Sequence, residues 1–392
     1  MHFVITLLII SFLAPIYTYF VYPLILMMFR PMRYRSDNAY RPTVSVLIAA
    51  YNEEKIIADK IRNCRELDYD TDKLEILLAS DGSSDQTVTM AQGFPDYKTL
   101  KIFDLPRGGK VNAMNHLLAQ AKGEVLIFSD ANTMYSSNTI KELVKYFNDE
   151  RIGCVSGQLR YNNVFTHDNG GKNETLYWKY ENQVKKLESR MGRLIGANGA
   201  IYAVRRNLVS GIPSGIINDD FYISASILQQ GHDVVMETEA VGFEEANEAF
   251  TSQFKRHVRD GAGHYQALLV FWRLMFFRKG SFTYFSHRVV KWMTPFFLLA
   301  FFALSPIAAR VSSFWSFVWW AQAFLYLSYV LYFILFANSG RKVDAKSWVR
   351  FFRTCFKLYS ISFYFFSVNT ALLLGFVKFV TKRQKAIWET QR

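Results

Sequence analysis

Apolar residues are distributed unevenly along the chain, and their pattern divides it into three parts. Residues 3–29 form an almost uninterrupted apolar stretch, apolar stretches return after residue 289, and the sequence between them has the mixed composition of a globular domain. An apolar run of this length is long enough to cross a bilayer as a helix and too long for a signal-peptide core. We therefore expect one globular domain between membrane-spanning helices, the first of them retained as residues 1–30.

Short apolar runs alternate with amphipathic stretches in the central part of the chain. Apolar runs bounded by polar residues predict strands, and apolar residues at helical spacing predict helices. The first predicted helix starts at Asn52-Glu53-Glu54, where a capping residue precedes two acids. Strands that alternate with helices favour an α/β fold with a mainly parallel sheet. The predicted strands are 44–50, 74–79, 101–105 and 125–129, and further predicted helices are 111–121 and 139–147.

The C-terminal part is predicted to lie on or in the membrane. Residues 263–288 combine an apolar side with basic residues, which is typical of an amphipathic interfacial helix. Three apolar stretches follow, each near the ~20 residues that a crossing needs. The predicted spans are 290–309, 313–336 and 360–380 within a transmembrane part of 289–381, and a basic tail forms residues 382–392.

The charges beside the apolar stretches predict the orientation in the membrane. Arg30, Arg33 and Arg35 follow the first span, and the positive-inside rule places such residues in the cytosol. We therefore predict a multi-pass protein of the plasma or inner membrane whose globular domain, residues 42–262, is cytosolic. Three further spans would leave the basic tail outside, although its charge favours the inside. Either one segment is re-entrant or the tail departs from the rule.

Composition supports a membrane protein and excludes other classes. Hydrophobic residues make up 51% and aromatic residues 17% of the 392 residues, more than soluble domains usually carry. The formal charge of +13 does not indicate a nucleic-acid partner, because many Lys and Arg residues flank the apolar stretches. Cys64, Cys154 and Cys355 are scattered, so they predict neither a disulfide framework nor a zinc site.

Four polar clusters occur near the ends of predicted strands. Ligands of open parallel sheets bind beyond the carboxyl ends of the strands, so these clusters are candidates for a binding site. Each cluster alone is equally typical of a turn or a helix cap. The clusters are Ala49-Ala50-Tyr51-Asn52-Glu53-Glu54, Ser80-Asp81-Gly82-Ser83-Ser84-Asp85, Arg107-Gly108-Gly109-Lys110 with Asn112, and Ser129-Asp130-Ala131-Asn132.

The order and spacing of these clusters, together with the flanking apolar stretches, resemble the membrane-bound family 2 glycosyltransferases. That group includes poly-N-acetylglucosamine, hyaluronan and cellulose synthases, and the resemblance covers residues 42–265 and the anchors. It implies a GT-A nucleotide-sugar-binding domain and inverting transfer of a hexosyl or N-acetylhexosaminyl group. The implied donor is a UDP-sugar, and the implied acceptor is a glycan or polyprenyl-linked oligosaccharide in the synthesis of cell-surface polysaccharide.

The resemblance implies donor contacts in these clusters and in basic residues further along. Glycines let the backbone approach a diphosphate closely while the Lys110 ammonium reaches it, which fits that role. A helix cap at Glu53, a turn at Asp81 and an ordinary basic loop at Lys110 are the alternatives. The implied contacts are Ala50, Tyr51, Glu53, Asp81, Lys110, Asn112, Asp130, Arg256 and Arg259, with Trp388 of the tail folding back over the nucleotide.

Asp130 matches the first acid of the family's Asp-x-Asp motif, which holds a divalent metal against the donor diphosphate. The third position is Asn132, a departure from the motif. An amide oxygen is a weaker ligand for a hard cation than a carboxylate, so Mn²⁺ or Mg²⁺ would depend on Asp130, phosphate oxygens and water. The alternative is a turn that ends a strand.

Two acids, Asp219 and Asp220, begin a predicted helix that ends before Gly231. Acids in a first helical turn usually complement the helix dipole. In the resembling family an acidic pair at this place supplies the base that takes the proton of the acceptor hydroxyl. Asp220 fits the base position, and Asp219 is the alternative.

The resemblance also implies residues at the acceptor and transferred sugar. Asn198 and Gly199 belong to a segment that lies beneath the reacting sugar in the family, although a strand-entry loop accounts for it too. Gln253 and His257 occupy the first and last positions of the Gln-x-x-Arg-Trp motif of processive synthases, with His replacing Trp. Histidine offers a smaller ring for a sugar to stack on, so we predict short additions. A separate export or co-polymerase partner would then handle the product.

Two other functions remain open on the sequence. One is a processive synthase that polymerises and exports its own product, with Tyr265 or Trp272 replacing the missing aromatic contact. The other is a non-catalytic membrane scaffold on a decayed transferase domain. Retention of Asp81, Asp130 and the acidic pair argues against the scaffold.

Overall fold

A computed structural model describes the chain at residues 2–161, 169–245, 250–276, 278–336 and 350–384. The strands are β1 (Val44–Ala50), β2 (Leu74–Asp81), β3 (Leu100–Leu105), β4 (Val125–Asp130), β5 (Met134–Tyr135), β6 (Ile152–Tyr161), β7 (Ile201–Arg205) and β8 (Asp233–Glu244). The helices are α1 (His2–Met28), α2 (Ile57–Arg65), α3 (Thr87–Gln92), α4 (Lys110–Gln120), α5 (Thr139–Val144), α6 (Asn169–Arg190), α7 (Asp219–Gln229), α8 (Phe250–Val270), α9 (Ser281–Trp292), α10 (Thr294–Ala309), α11 (Ser313–Phe336) and α12 (Arg350–Val380).

The eight described strands form one mixed sheet in the order β3-β2-β1-β4-β7-β6-β8-β5. Strands β3, β2, β1 and β4 are parallel, whereas β7 runs antiparallel between β4 and β6. The register pairs Ala50 with Ser80 and Ala49 with Asp130, so the carboxyl ends of β1, β2 and β4 lie side by side. The predicted α/β class is confirmed, and three of the four polar clusters begin at this edge.

Alternation along the central strand explains why both faces of the sheet are covered. All seven residues of β1 are buried. Val46 and Ile48 pack into the core on one face, and Leu47 and Ala49 pack into the core on the other. Successive side chains of a strand point to opposite faces, so a continuous apolar run requires packing on both. The sequence predicted the four parallel strands to within two residues at each end.

The helix after β1 starts later than the sequence predicts. Helix α2 begins at Ile57, and Ile56 precedes it without a side-chain capping bond. Asn52 has a φ of 52°, a left-handed conformation that Asn tolerates better than most residues. Its side chain accepts a hydrogen bond from the Ser84 backbone N–H at 2.9 Å. The prediction of a cap at Asn52 is therefore wrong, because this residue ties two loops together.

The segment 263–288, predicted to be interfacial, contains parts of two helices, α8 and α9. Its first residues belong to α8, which packs against α12: a Cβ atom at Gly375 would lie 2.8 Å from the Ala262 backbone nitrogen. Small residues allow this approach, and Tyr265 is buried with its hydroxyl donating to the Trp292 carbonyl at 2.8 Å. Helix α8 ends at Val270 and a 3₁₀ turn follows. Large apolar side chains are exposed only from about there onward among the described residues of this segment: Leu269, Val270, Trp272, Phe276 and Phe285.

Within the described residues, two helical stretches are long and apolar enough to cross a membrane, His2–Met28 and Ser362–Val380. Helices α9 and α10 bend by 52° at Met293 and would make a third if they are counted as one span. Helix α11 is formed over the predicted span 313–336 and has the length of a crossing. The far tail, including Trp388, lies outside the described residues.

Candidate active site

Lys110 joins the ends of two elements at the carboxyl edge of the sheet. Its ammonium lies 2.9 Å from Oδ1 of Asp130, at the end of β4, and 3.8 Å from Oδ2 of Asp219, at the start of α7. Gly109 precedes it with a φ of 91°, a conformation that favours glycine. The tight turn therefore sets Lys110 at the first position of α4, and two distant predicted site residues come together around it.

Charges around Lys110 keep its ammonium protonated. Burial alone would lower the pKa of Lys110, but the carboxylates of Asp130 and Asp219 more than offset that effect and raise the pKa. An ammonium held in this way is a fixed positive charge at the strand edge. It is suited to stabilise a phosphate group there.

Asp220 lies beside the glycine loop that precedes β7. A Cβ atom at Gly199 would lie 3.0 Å from Oδ2 of Asp220, so the absence of a side chain lets the carboxylate approach the loop closely. Its Oδ1 accepts a hydrogen bond from the Phe221 N–H at 2.8 Å. Burial and the neighbouring Asp219 raise the pKa of Asp220 to about 6, against the opposing charge of Lys110. A carboxyl with this pKa can act as a base near neutral pH.

Adding a methyl group at Gly199 tests whether its close contact with Asp220 matters for catalysis. We expect Gly199→Ala to reduce turnover roughly tenfold to a hundredfold, because the added methyl displaces the Asp220 carboxylate by a few tenths of an ångström. The melting temperature should change little, since Gly199 does not have a left-handed φ. Steady-state kinetics and thermal unfolding measure both. The control is Gly93→Ala, which adds the same methyl group at an exposed glycine outside the site. Normal turnover of Gly199→Ala would show that Gly199 is not part of the site.

The glycine loop is fastened on both sides. The Asn198 backbone N–H donates to Ser156 Oγ on β6 at 2.9 Å, and its side-chain oxygen accepts from the Ala200 N–H at 3.3 Å. The Ala197 N–H donates to Ser224 Oγ on α7 at 3.2 Å. Asn198 therefore shapes the loop that holds Gly199 against Asp220, and its side chain is engaged within the loop.

Asp81 organises the turn that contains the glycines. It is fully buried, and its carboxylate accepts hydrogen bonds from the N–H groups of Gly108 at 2.7 Å and Gly109 at 2.9 Å. Arg107 completes an ion pair with it, and the Arg107 guanidinium lies 3.4 Å from the centre of the Tyr51 ring. Asp81 thus holds the third cluster in place, and Tyr51 and Arg107 stack at the same edge.

The loops after β1 and β2 are joined by hydrogen bonds. The Asn52 N–H donates to Ser83 Oγ at 3.1 Å, and the Glu53 N–H donates to Thr87 Oγ1 at 2.8 Å. Glu53 is buried, and Ala50 is the buried last residue of β1. Asn112 lies over Gly108, where a Cβ atom would meet its amide at 2.6 Å. These residues therefore line the carboxyl edge of the sheet.

Four of the predicted site residues belong to α8 and not to the loops at the carboxyl edge of the sheet. Arg259 pairs with its neighbour Asp260 at 3.0 Å, and Gln253 is buried. His257 is half-buried, burial lowers its pKa to about 4, and its Nε2 has no hydrogen-bond partner among the described residues. Arg256 makes contacts of its own. Arg259 lies close enough to the Lys110 site to interact with it, since the charge of Asp260 first, and that of Asp219 as well, raises the pKa of Arg259.

The aromatic side chains near α8 also differ from expectation. Tyr265 is buried and Trp272 is exposed on the surface, so neither provides a ring beside Asp220. Instead His264 stacks on Trp292, with ring centroids 4.4 Å apart and an interplanar angle of 11°. No local sequence pattern indicates this pair, because it joins α8 to α9.

The described residues contain no group of three or more His, Cys, Asp or Glu side chains that could hold a metal by itself. Asp130 and Asn132 lie in one strand-end turn, and the Asp130 side chain is 31% exposed. One carboxylate and one amide leave most positions of a Mn²⁺ or Mg²⁺ ion to other ligands. This donor set fits a metal that binds together with a diphosphate.

Lys60 is a residue of the site that the sequence interpretation missed. It is fully buried in α2, and its ammonium donates to Ser129 Oγ at 2.7 Å and to the Thr133 carbonyl, flanking the Asp130 turn. It also lies 4.2 Å from the centre of the Tyr135 ring. Lys60 lies on the same helix face as Ile57, Ile61 and Cys64. A basic residue within an apolar helix face was therefore the sequence feature that could have revealed it.

Comparisons with known proteins agree with this geometry. Residues 45–209 match the profile of Glycosyl transferase family 2. The chain is 33% identical over 131 residues to the beta-monoglucosyldiacylglycerol synthase of Trichormus variabilis, covering 32% of this chain and 28% of that protein. It is 24% identical over 246 residues to the poly-beta-1,6-N-acetyl-D-glucosamine synthase of Staphylococcus epidermidis, covering 61% of this chain and 59% of that protein. The chain therefore matches less than two thirds of the length of either relative.

Among solved structures, a mannosyltransferase from Pyrobaculum calidifontis in complex with GDP-Man and Mn²⁺ has a similar fold. The TM-score is 0.70 at 20% sequence identity, and the match covers 97% of this chain and 98% of that chain. The likeness extends beyond the sheet domain to nearly the full length of both chains. At this identity it concerns the fold alone.

Proposed function

We propose that this chain, which contains a glycosyl transferase family 2 domain, is a membrane enzyme that transfers a sugar from a UDP-sugar to a hydroxyl of a glycan or lipid-linked acceptor. The observation that carries this proposal is the arrangement of Lys110 and Asp220. A fixed cation lies at the strand edge, and a carboxyl of raised pKa lies against Gly199. Transfer to a hydroxyl requires both functions, charge stabilisation of the leaving diphosphate and a base.

The reaction is a single displacement with inversion. Asp220 takes the proton of the acceptor hydroxyl while its oxygen forms a bond to the anomeric carbon. The bond between that carbon and the diphosphate oxygen breaks, and Lys110 stabilises the charge that develops on the diphosphate. The names of both curated relatives describe beta-linked sugars, which supports inversion from an α-linked donor.

Asp130 and Asn132 are the residues that would hold a divalent metal. When bound with the donor, Mn²⁺ or Mg²⁺ supplies positive charge to the diphosphate. Asp130 is paired with Lys110, which provides its counter-charge. Support for a metal also comes from the mannosyltransferase of similar fold, whose structure contains Mn²⁺.

The donor is proposed to bind along the edge from Tyr51 to Lys110. Tyr51, stacked by Arg107, offers a ring face for a base, and Asp81 holds the loop that approaches the phosphates. Arg256 and Arg259 extend the positive charge from α8. The similar fold of a protein that binds GDP-Man makes GDP-mannose the second donor to test.

The anomeric configuration and length of the product test the proposed reaction. Purified protein with its donor and a membrane extract should form a product whose new linkage has the opposite configuration to the donor, measurable by nuclear magnetic resonance. Because His257 is half-buried and neutral, we expect short additions rather than a polymer. Long polymer made without another protein would instead favour the alternative function, a processive synthase.

The raised pKa of Asp220 predicts the pH dependence of catalysis. A base works only when deprotonated, so kcat/KM should fall about tenfold per pH unit as the pH drops below about 6, the pKa of Asp220 in the free protein. A carboxyl with an ordinary pKa would keep its activity to about pH 4. Steady-state kinetics over pH 4 to 8 measure the profile, and an acid limb near pH 4 would contradict the assignment.

The enzyme is proposed to be a multi-pass protein of the plasma or inner membrane with its sheet domain in the cytosol. Arginines follow the first span, and the two candidate spans flank the sheet domain in the chain. A nucleotide-sugar donor is made in the cytosol, which agrees with this orientation. Cysteine-accessibility labelling of the sheet domain in sealed membrane vesicles tests it.

A further inference from the structure

Six buried ionisable residues form a second cluster, which we call the buried charge cluster. They come from α6 and α9 and meet behind the glycine loop. Each has at most 9% of its surface exposed. The members are Glu181, Lys185, Glu188, His287, Arg288 and Lys291.

Both carboxylates of the cluster are fully engaged. Glu181 forms a short ion pair with Lys291, and its other oxygen lies 3.4 Å from His287 Nε2. Glu188 lies 2.7 Å from His287 Nδ1 and accepts a hydrogen bond from the Tyr22 hydroxyl at 2.7 Å. Buried carboxylates paired in this way have little capacity left for another cation.

Lys185 is left without such a partner. It is 91% buried, since 9% of its surface is exposed, and it has no hydrogen bond or ion pair within the part of the chain that the structure describes. Burial, and then the nearby charge of Arg288, lower the pKa of Lys185 to about 8. Lysine is almost never buried unless it is paired, because the desolvated charge is costly. The position therefore needs an anion that the protein itself does not supply at bonding distance.

The cluster adjoins the proposed acceptor position. Arg288 donates to the Ile195 carbonyl at 2.6 Å, and a Cβ atom at Gly196 would lie 3.4 Å from its Nη2. The same loop continues to Gly199, which lies against Asp220. Arg288 therefore connects the buried charge cluster to the loop that carries Gly199.

The elements around the cluster connect it to the membrane part. Tyr22 belongs to α1, one of the two candidate spans, and α9 is the first half of the bent helix pair. A lipid headgroup at the membrane surface could reach Lys185 from there. A soluble acceptor would instead have to enter between these helices.

We propose that Lys185, with Arg288 beside it, binds a phosphate group of the acceptor, next to the hydroxyl that receives the sugar. The identification of this phosphate with the acceptor rests on the proposed function. Phosphate fits because it offers several acceptor oxygens and at least one negative charge to two adjacent cations. Because α1 and α9 border the cluster, the phosphate belongs to a lipid headgroup.

Thermal unfolding of the detergent-solubilised full chain tests the site without requiring activity. The probes are dihexanoyl phosphatidylglycerol, which carries a phosphate and hydroxyls; dihexanoylglycerol, which lacks the phosphate; and glycerol phosphate, which lacks the lipid. A ligand that binds only the folded state raises the melting temperature, here by about 2–4 °C at saturation. We expect this rise with phosphatidylglycerol, a smaller rise with glycerol phosphate and none with dihexanoylglycerol. Equal rises with both phosphate probes would overturn the lipid source and leave a soluble phosphate.

Lys185→Met should abolish the phosphate-dependent rise, whereas Lys186→Met, the neighbouring lysine, should retain it. Lys185→Met alone should melt no lower than the parent, because it removes a buried charge without a paired partner. A marked loss of stability, or an unchanged rise in Lys185→Met, would overturn the proposal. If phosphate probes raise the melting temperature but the protein cleaves no sugar nucleotide, the phosphate site stands and the proposed function is rejected. Cleavage without any such rise would reject the site alone.

Discussion

Replacing Asp220 with Asn is expected to reduce turnover about 100-fold to 10,000-fold, the range for loss of a general base. The amide keeps the shape of the carboxyl group and cannot take a proton. Its neighbour Gly199 and the Phe221 N–H that contacts it are unchanged. Donor binding should persist, because Lys110 and the Asp81 turn do not depend on the charge of Asp220. Initial-rate kinetics and calorimetry of UDP binding measure the two effects.

Asp219→Asn is the matched control for that change. Asp219 lies 3.8 Å from Lys110 and faces the cation, whereas Asp220 faces the glycine loop. We expect the smaller loss of turnover in Asp219→Asn. Near-normal turnover of Asp220→Asn, with a large loss in Asp219→Asn, would transfer the role of base to Asp219.

Replacing Asp130 with Ala is expected to remove most of the metal enhancement of UDP binding and to lower turnover about 100-fold or more. Asp130 is the carboxylate of the strand-end turn, and the amide of Asn132 cannot replace its charge. The change also frees Lys110 from its 2.9 Å ion pair. Calorimetry of UDP with and without Mn²⁺ separates metal binding from catalysis.

Asn132→Ala provides the comparison for the metal ligand. It removes a neutral oxygen from the same turn and should cost less metal enhancement than Asp130→Ala. Equal Mn²⁺ enhancement in Asp130→Ala and the parent would exclude Asp130 as a ligand.

The sheet could be predicted because its signal is local. Val44–Ala50 is apolar at every position, and a strand buried on both faces needs that composition. Polar residues at the ends of such runs then had to meet at one edge. The meeting of Lys110 with Asp130 follows from that rule, although their distance does not.

Contacts between distant residues left no comparable signal. Asp81 was predicted to contact the donor, yet its carboxylate is occupied by the backbone of Gly108 and Gly109. That role depends on how the loop after β3 folds over β2, which no local pattern encodes. Its contact with a nucleotide remains a prediction.

The buried charge cluster shows the same limit more strongly. Lys291 and Glu181 are 110 residues apart, and each alone has the appearance of an ordinary charge near an apolar stretch. Their burial becomes evident only when α6 packs beside α9. In the same way, Lys60 could be noticed as a basic residue within an apolar helix face, but its two oxygen partners lie about 70 residues further along.

Release of nucleoside diphosphate from a panel of sugar nucleotides tests the proposed transferase most directly. The purified full chain would be incubated with UDP-glucose, UDP-N-acetylglucosamine and GDP-mannose, with Mn²⁺ or Mg²⁺ and a lipid and oligosaccharide extract as acceptor. We expect UDP release from at least one UDP-sugar by the parent protein, stimulated by the extract and lost in Asp220→Asn. Absence of diphosphate release from every donor would contradict a transferase and favour the non-catalytic scaffold.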